Sequence, residues 1–375
     1  MSKSTAQPIS SRSLTILSRL LFSPRYQEES APIAGGFYLY GLNTGITDIN
    51  KEEFEDLLKL ASSNHVVMRG FDVALGILRQ VQDNTRTEWV LTALAAERER
   101  IKNAMSFLSA ICTAFKEEGL ETMVIKSLDH WPDLGSDLDM YTDSDVEKVA
   151  QLMKRRFQAQ IAYRSWGDRL AHKWNFIIPG LPEAVEIHMG RLGQTGEQLT
   201  LASRLVGRAQ SVCIDDKEFR VPAASDRVMI STLQRMYRHF YFRLCDVVDT
   251  SSLSESCAID YEDMRASANA SGIWEGVATY LAIVSDYVKK YRGTGLNLPQ
   301  FVWDAAQFGG DAVYFGQGYL RVPIMPQSVR LYGTQLAGLL RKRELHSSAR
   351  LSLLPWLATA AAVGQKITGS DKGIW

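Results

Sequence analysis

Between Trp89 and Tyr141 the spacing of apolar residues changes from that of a helix to that of a strand. Leu94, Ile101, Met105, Leu108, Cys112 and Phe115 recur at three, four or seven positions and form one stripe, as a helix buried on one side requires. Gly119 follows Lys116-Glu117-Glu118, where a left-handed residue ends such a helix. Thr122-Met123-Val124-Ile125 is then short, apolar and partly β-branched, and Asp137-Leu138-Asp139-Met140-Tyr141 alternates acid with apolar. One chain that carries both periods in succession is of the α+β class. The segments Trp174–Ile178 and Ala184–Met189 read as a hairpin about Pro179-Gly180-Leu181-Pro182. Ser144 and Glu147 have capping-box spacing before a helix through Phe157.

Helical patterns dominate either side of this mixed segment. Asp226–Val248 reads as one long helix or a bent pair. Asp260-Tyr261-Glu262-Asp263 opens another helix, and Trp274–Tyr291 and Ser328–Leu345 are helical. Gly293–Pro326 reads as irregular. Residues 1–35 read as a polar, loosely attached leader, followed by Gly35-Gly36 and the aromatic run Phe37–Tyr40. The expected organisation is therefore residues 1–88 as leader and helical region, 89–198 as a small mixed sheet core, and 199–375 as a helical region.

The balance of 42 Lys+Arg against 42 Asp+Glu in 375 residues argues against a protein that coats DNA generally. Cys112, Cys213, Cys245 and Cys257 are dispersed and form no CxxC pair, so free, buried thiols are expected. The apolar run Leu351–Val363 contains Pro355 and is too short to span a bilayer, and Leu14–Phe22 is broken by Ser18 and Arg19. The expectation is a cytoplasmic protein with no membrane partner.

Chemistry concentrates in the mixed segment. Asp137 and Asp139 lie two apart on a strand and so share a face. Glu186, in Val185-Glu186-Ile187-His188, is placed to join them from a neighbouring strand. Three converging carboxylates repel unless a cation neutralises them. Hard oxygen donors with open positions suit Mg²⁺ (or Mn²⁺) held jointly with substrate phosphates. The plainer reading of each acid is a solvated strand edge. Arg235, Arg238 and Arg243, with His239, lie close to one helix face and have the planar donors that phosphate oxygens accept from. Their plainer reading is ion pairs with acids such as Asp246 and Asp249. Asp143 and Asp145 read as cap and loop acids, and Lys154–Arg156 and Arg341–Arg343 as solvated faces. Trp131, Trp166 and Trp174 read as core rather than base platforms. Gly316-Gln317-Gly318 lacks the third glycine of a dinucleotide loop.

Val124-Ile125-Lys126-Ser127, followed ten residues after Ser127 by Asp137-x-Asp139 and then by Glu186-x-His188, resembles the nucleotidyltransferase superfamily with its polymerase-beta-like fold. It is most similar to the bacterial "uncharacterised nucleotidyltransferase" family, and the likeness runs over roughly residues 90–290. Ser127 stands where that family usually has glycine, and an arginine common just upstream of the first acid is absent. The resemblance implies transfer of a nucleoside monophosphate from a nucleoside triphosphate to an acceptor hydroxyl, with pyrophosphate release. Asp137, Asp139 and Glu186 would be catalytic and metal-holding. Lys126, Ser127, Ser136 and His188, with Arg235 and Arg238, would bind nucleotide and phosphates. The acceptor class stays open among small molecule, sugar, protein and RNA. Two alternatives remain: a nucleotide-binding or interaction module that keeps the fold without turnover, and a DxD glycosyltransferase. The second would need a βαβ half before the DxD, where this chain has the Trp89–Phe115 helical stripe.

Overall fold

The computed structural model describes residues 11–23 and 44–357. Helices come first: α1 (Ser11–Phe22), α2 (Lys51–Ser63), α3 (Val67–Gln80) and α4 (Asn84–Glu117). Asn50 caps α2 by accepting from the Glu53 N–H at 2.9 Å, while the Glu53 carboxylate accepts from the Asn50 N–H. Such reciprocal caps contribute about 1 kcal/mol. Asp83 caps α4, and the expected stripe of α4 is buried at Leu94, Ile101, Met105, Leu108 and Phe115. Gly119, at φ 66°, lies just beyond its end.

The mixed segment follows as β1 (Met123–Val124), β2 (Asp137–Thr142), α5 (Val146–Phe157), β3 (Gln160–Ile161), α6 (Trp166–Leu170), β4 (Lys173–Ile177) and β5 (Ala184–Met189). These strands form one sheet in the order β1-β2-β5-β4-β3. Only β2 and β5 run parallel; β4 and β5 form the expected hairpin. Alternation divides the sheet into two faces. Leu138, Met140, Phe176, Val185 and Ile187 enter the core. Asp137, Asp139, Lys173, Asn175, Glu186 and His188 carry the other face. Asp145, not Ser144, is the cap of α5: its carboxylate accepts from the Glu147 and Lys148 N–H groups. Both residues suit a cap, and the first helical turn here begins one residue later than Ser144 would set it.

Beyond the sheet come α7 (Leu199–Arg208), β6 (Gln210–Ile214), β7 (Lys217–Val221), α8 (Ala224–Gln234), β8 (Tyr241–Phe242), α9 (Leu244–Glu255), α10 (Tyr261–Ala270), α11 (Trp274–Arg292), α12 (Gln300–Ala305), β9 (Tyr314–Gly316), β10 (Tyr319–Arg321), α13 (Val329–Arg341) and α14 (Leu345–Leu351). The long helix expected over Asp226–Val248 is a bent pair. α8 widens into a single π turn at Arg235–His239, Phe240 turns left-handed at φ 54°, and α9 starts after β8. The stretch Gly293–Pro326 is more regular than its Gly and Pro content suggests. β9 and β10 pair with each other, β10 also pairs with β8, and Gln317-Gly318 makes their turn with both φ values positive. β6–β7 is a second hairpin, turned at Asp215-Asp216.

The polar leader expected over residues 1–35 is corrected for its described part. In α1, Leu14, Ile16, Leu17 and Leu20 are buried, and the helix packs on α2, α3 and α11. The Ser18 hydroxyl is hydrogen-bonded to Tyr287 at 2.7 Å. Gly35-Gly36 and Phe37–Tyr40 lie outside the described residues, as do residues 358–363 of the run Leu351–Val363. One buried apolar cluster runs from α1 through the sheet to α13. Among the described residues no helix is long and apolar enough to cross a membrane. All four cysteines are free; Cys213 and Cys257 are exposed, against the expectation of buried thiols.

Candidate functional site

The polar face of the sheet forms the floor of a cleft of about 320 Å³, the size of many small-ligand sites. Asp137 and Asp139 rise from β2. Asp139 is paired in register with Glu186 of β5, and Glu186 in turn with Asn175 of β4. Lys126, Ser127 and Ser136 border the floor. Across from it stand Arg235, Arg238, His239, Tyr241 and Arg243, from the break between α8 and α9.

Two lysines partly neutralise the floor. The Lys126 ammonium is ion-paired with Asp139 and lies 3.6 Å from Glu186. Lys173 lies 2.9 Å from both Asp168 and Glu186. Burial pushes the Asp139 carboxyl up to about 7; Lys126 opposes this, and the charges of Glu186 and Asp137 add to it. Glu186 is held well below the usual carboxylate range: burial works against its charge, but Lys126, Lys173 and His188 outweigh it. Burial and Glu186 raise Asp137. Burial brings His188 down to about 4, so the ring is neutral near pH 7. It donates from Nε2 to Glu186 at 2.9 Å, which leaves a bare, buried Nδ1.

Lys126 is held in place by an unusual backbone. Its φ and ψ of 62° and −57° place it at the centre of a γ-turn closed by the Ser127 N–H on the Ile125 carbonyl at 2.6 Å. Ser127 is buried, and its hydroxyl is committed to β2. It donates to the Asp137 carbonyl at 3.2 Å and accepts from the Asp139 N–H at 2.8 Å. Ser127 thus fixes the backbone that carries both acids, its hydroxyl proton given to the Asp137 carbonyl. Ser136 is exposed beside Asp137, with its hydroxyl 3.5 Å from that carboxylate.

The arginines divide. Arg235 is buried and ion-paired with Asp246 at 2.7 Å, but its Nη1 is buried with no hydrogen-bond partner. Arg238 and Arg243 enter no ion pair among the described residues, and the Arg243 Nε is also buried without a partner. Arg227, two turns earlier on α8, pairs with Asp129 at 2.6 Å. Asp249 is taken by Arg69 and His130.

Of the nine expected site residues, eight line the cleft; His188 lies behind Glu186. Lys173, Asp168 and Asn175 were not expected there. For Lys173 and Asn175 the signal was the alternation Lys173-Trp174-Asn175-Phe176, which becomes informative once the hairpin register is known; Asp168 comes from α6, outside that strand. Trp131 and Trp174 pack against the core, as expected, but Trp166 is 61% exposed.

The donor set fits a hard divalent cation. One donor atom each from Asp139, Glu186 and His188 lies within 4.8 Å of the others, and Asp137 shares their face with no ion pair among the described residues. Four carboxylates, counting Asp168, face two lysines. The floor thus retains room for positive charge, while the opposite wall holds guanidinium groups without acid partners. Another close group, His130, Cys245 and Asp249, is fully buried, and its carboxylate already carries Arg69. No protein-family model and no curated protein matches the chain.

Proposed function

We propose that the chain is a metal-dependent nucleotidyltransferase of the polymerase-beta-like kind. The observation that carries this is the pairing of a shared acidic face, Asp137 and Asp139 with Glu186 in register, with a facing wall on which Arg238 and Arg243 have no ion pair among the described residues. Asp137, Asp139 and Glu186 would hold Mg²⁺ or Mn²⁺, which when bound would neutralise the acids and the triphosphate together. Arg238 and Arg243, with the free Nη1 of Arg235, are placed for phosphate oxygens. Lys126 lies between floor and phosphates. An acceptor hydroxyl attacks the α-phosphate, a new P–O bond forms, the α–β bridge breaks, and pyrophosphate carries away the electron pair. Much of the acceleration in such reactions comes from positioning and charge neutralisation. This reading places the work in the cytoplasm, where free thiols persist.

Asp137→Asn tests it. The substitution removes one charge at an exposed position, so the melting temperature is expected to stay within a few degrees. Pyrophosphate release from labelled triphosphates with Mg²⁺ is expected to fall at least about a hundredfold, the scale of losing one electrostatic contact to a transition state. Undiminished release in this variant would overturn the role of the acids.

A second reading rests on Lys126 and Lys173. Their ammonium groups already sit among the acids, as in a fold that binds nucleotide without turnover. Saturable triphosphate binding with no pyrophosphate released on any acceptor would favour it.

A further inference from the structure

The rim of the cleft at α6 carries charge and aromatic surface that the proposed chemistry does not use. Asp168 of α6 lines the cleft, so this short helix forms its edge. Four arginines surround it. Arg164 donates to the Lys173 carbonyl at 2.9 Å and lies over the Trp174 ring at 4.0 Å. Arg169 lies over Trp166 at 5.7 Å. Arg350 donates to the carbonyls of Thr195 and Leu170, and Arg191 to that of Gly196.

None of these four enters an ion pair with an acid among the described residues. Their charges act on one another. Partial burial lowers Arg164 and Arg350; Asp168 opposes this at Arg164 while Arg169 adds to it, and Arg191 adds to it at Arg350 while Glu197 opposes it. Four arginines share the nearby Asp168 and Glu197 with no direct ion pair to either, so the rim keeps positive charge for an anion.

Tyr163, just before α6, is 77% exposed and Trp166 at its start 61%; Ile161 and Ile177 are exposed at the β3–β4 edge, one on each face of the sheet. Exposed apolar surface rimmed by polar and charged groups is what marks an interaction site. Arginines interleaved with exposed aromatic rings suit a strand of unpaired bases. Guanidinium groups follow the phosphates, and each base has a π face to stack. Duplex bases are stacked already and cannot use the rings. An acidic peptide would satisfy the charge and leave the rings without a defined role.

We infer that this collar binds a single-stranded polynucleotide and delivers its terminal hydroxyl to the cleft. The acceptor would then be a nucleic-acid end; this part rests on the nucleotidyl-transfer reading.

The test is fluorescence anisotropy on the full chain. The probes are labelled RNA and DNA strands of about 12 nucleotides, within the usual range of site sizes, the matching duplex, and poly-glutamate, each across a salt series. Either single strand is expected to bind, more tightly than duplex or poly-glutamate, with affinity falling as salt rises. Trp166→Ala is expected to weaken binding about tenfold. Arg169→Ser is expected to lower the salt slope by about 0.7, one phosphate contact. Both positions are exposed, so folding is not at stake. Binding indifferent to both rim variants, or poly-glutamate bound as tightly as the strands, overturns the inference. Binding that depends on Trp166 and Arg169 without extension by any triphosphate upholds the surface and overturns the transfer reading instead.

Discussion

Asp139 of β2 stands in register with Glu186 of β5, with the Lys126 ammonium ion-paired to the first carboxylate and 3.6 Å from the second. The two acids come from strands separated by two helices, α5 and α6, and two strands, β3 and β4, and they meet because β2 and β5 pair in parallel. The two carboxyl groups respond differently to a shared cation. Glu186 also has Lys173 and His188, and it holds its charge; Asp139 has Lys126 alone against burial and two neighbouring acids, and it rises. A floor balanced in this way accepts added positive charge readily.

Lys173 is the strut beneath that floor. Its ammonium bridges Asp168 and Glu186, and all three side chains are at least 88% buried. Lys173→Met keeps the length and leaves two buried carboxylates without their cation. It is expected to destabilise the fold by about 3 kcal/mol in urea unfolding, and adding Glu186→Gln is expected to restore part of that loss because the two sites share one interaction. Arg155→Ala serves as control: its pair with Glu118 is largely in water and is expected to cost under about 1 kcal/mol. Equal losses at the two sites would remove Lys173 from this role.

The parts of the site that were legible in the sequence are those fixed by local period. Alternation over Asp137–Tyr141 places both aspartates on one face whatever the rest of the chain does. The register of β2 on β5 is long-range, and no residue in either strand announces it; a slip of one position would send Glu186 to the core. The arginine wall was read as one side of a helix. It exists because the helix breaks at Phe240, where neither glycine nor proline marks the turn. α1 was missed because its serines were counted as solvent-facing, whereas Ser13 and Ser18 are buried. The β6–β7 hairpin was missed because its Asp215-Asp216 turn is a weaker signal than Asn-Gly.

The pair His130 and Asp249 gives stability a pH window. Burial opposes the charge on His130, but Cys245 and the Asp249 carboxylate, 2.5 Å from Nδ1, hold its pKa well above the ordinary value. Asp249 is lowered despite burial, by Arg69 and His130. His65 stacks on His130 at 5.8 Å and adds no opposite charge. A raised histidine contributes fully below about pH 6.5 and loses its contribution as pH climbs through the folded value; a lowered aspartate contributes above about pH 3.9 and loses it as pH falls through its own. The contribution of the pair is therefore greatest between these limits. His130→Gln is expected to flatten the decline in unfolding free energy that sets in as pH climbs above about 6.5. An unchanged slope would show that the charged form of His130 does not stabilise the fold.

Arg235 and Asp246 join the two halves of the broken helix. Both are nearly wholly buried, and the Asp246 carboxylate also accepts from the Arg243 N–H at 2.6 Å. Asp246→Ala strands a buried guanidinium and is expected to cost about 3–5 kcal/mol. Replacing both, as Arg235→Met with Asp246→Leu, is expected to recover most of the loss, since removing a buried pair whole is often neutral. If the double variant is as unstable as the single one, the pair is not what holds the break.

Lys126 combines two effects that substitution can separate. Its ammonium is paired with Asp139, and its backbone occupies a left-handed γ-turn that a side chain disfavours. Lys126→Ala and Lys126→Gly remove the ammonium equally. They differ only in the backbone, where glycine adopts φ 62° without the Cβ clash but loses more entropy on folding. Because the steric cost of a left-handed alanine is about 1–2 kcal/mol and the entropic cost of glycine is about 0.5–1 kcal/mol, the glycine variant is expected to be the more stable by up to about 1.5 kcal/mol. Both are expected to lose pyrophosphate release if the ammonium serves the phosphates. A glycine variant less stable than the alanine variant would show that the γ-turn is not strained, and that Lys126 is held where it is by its charge alone.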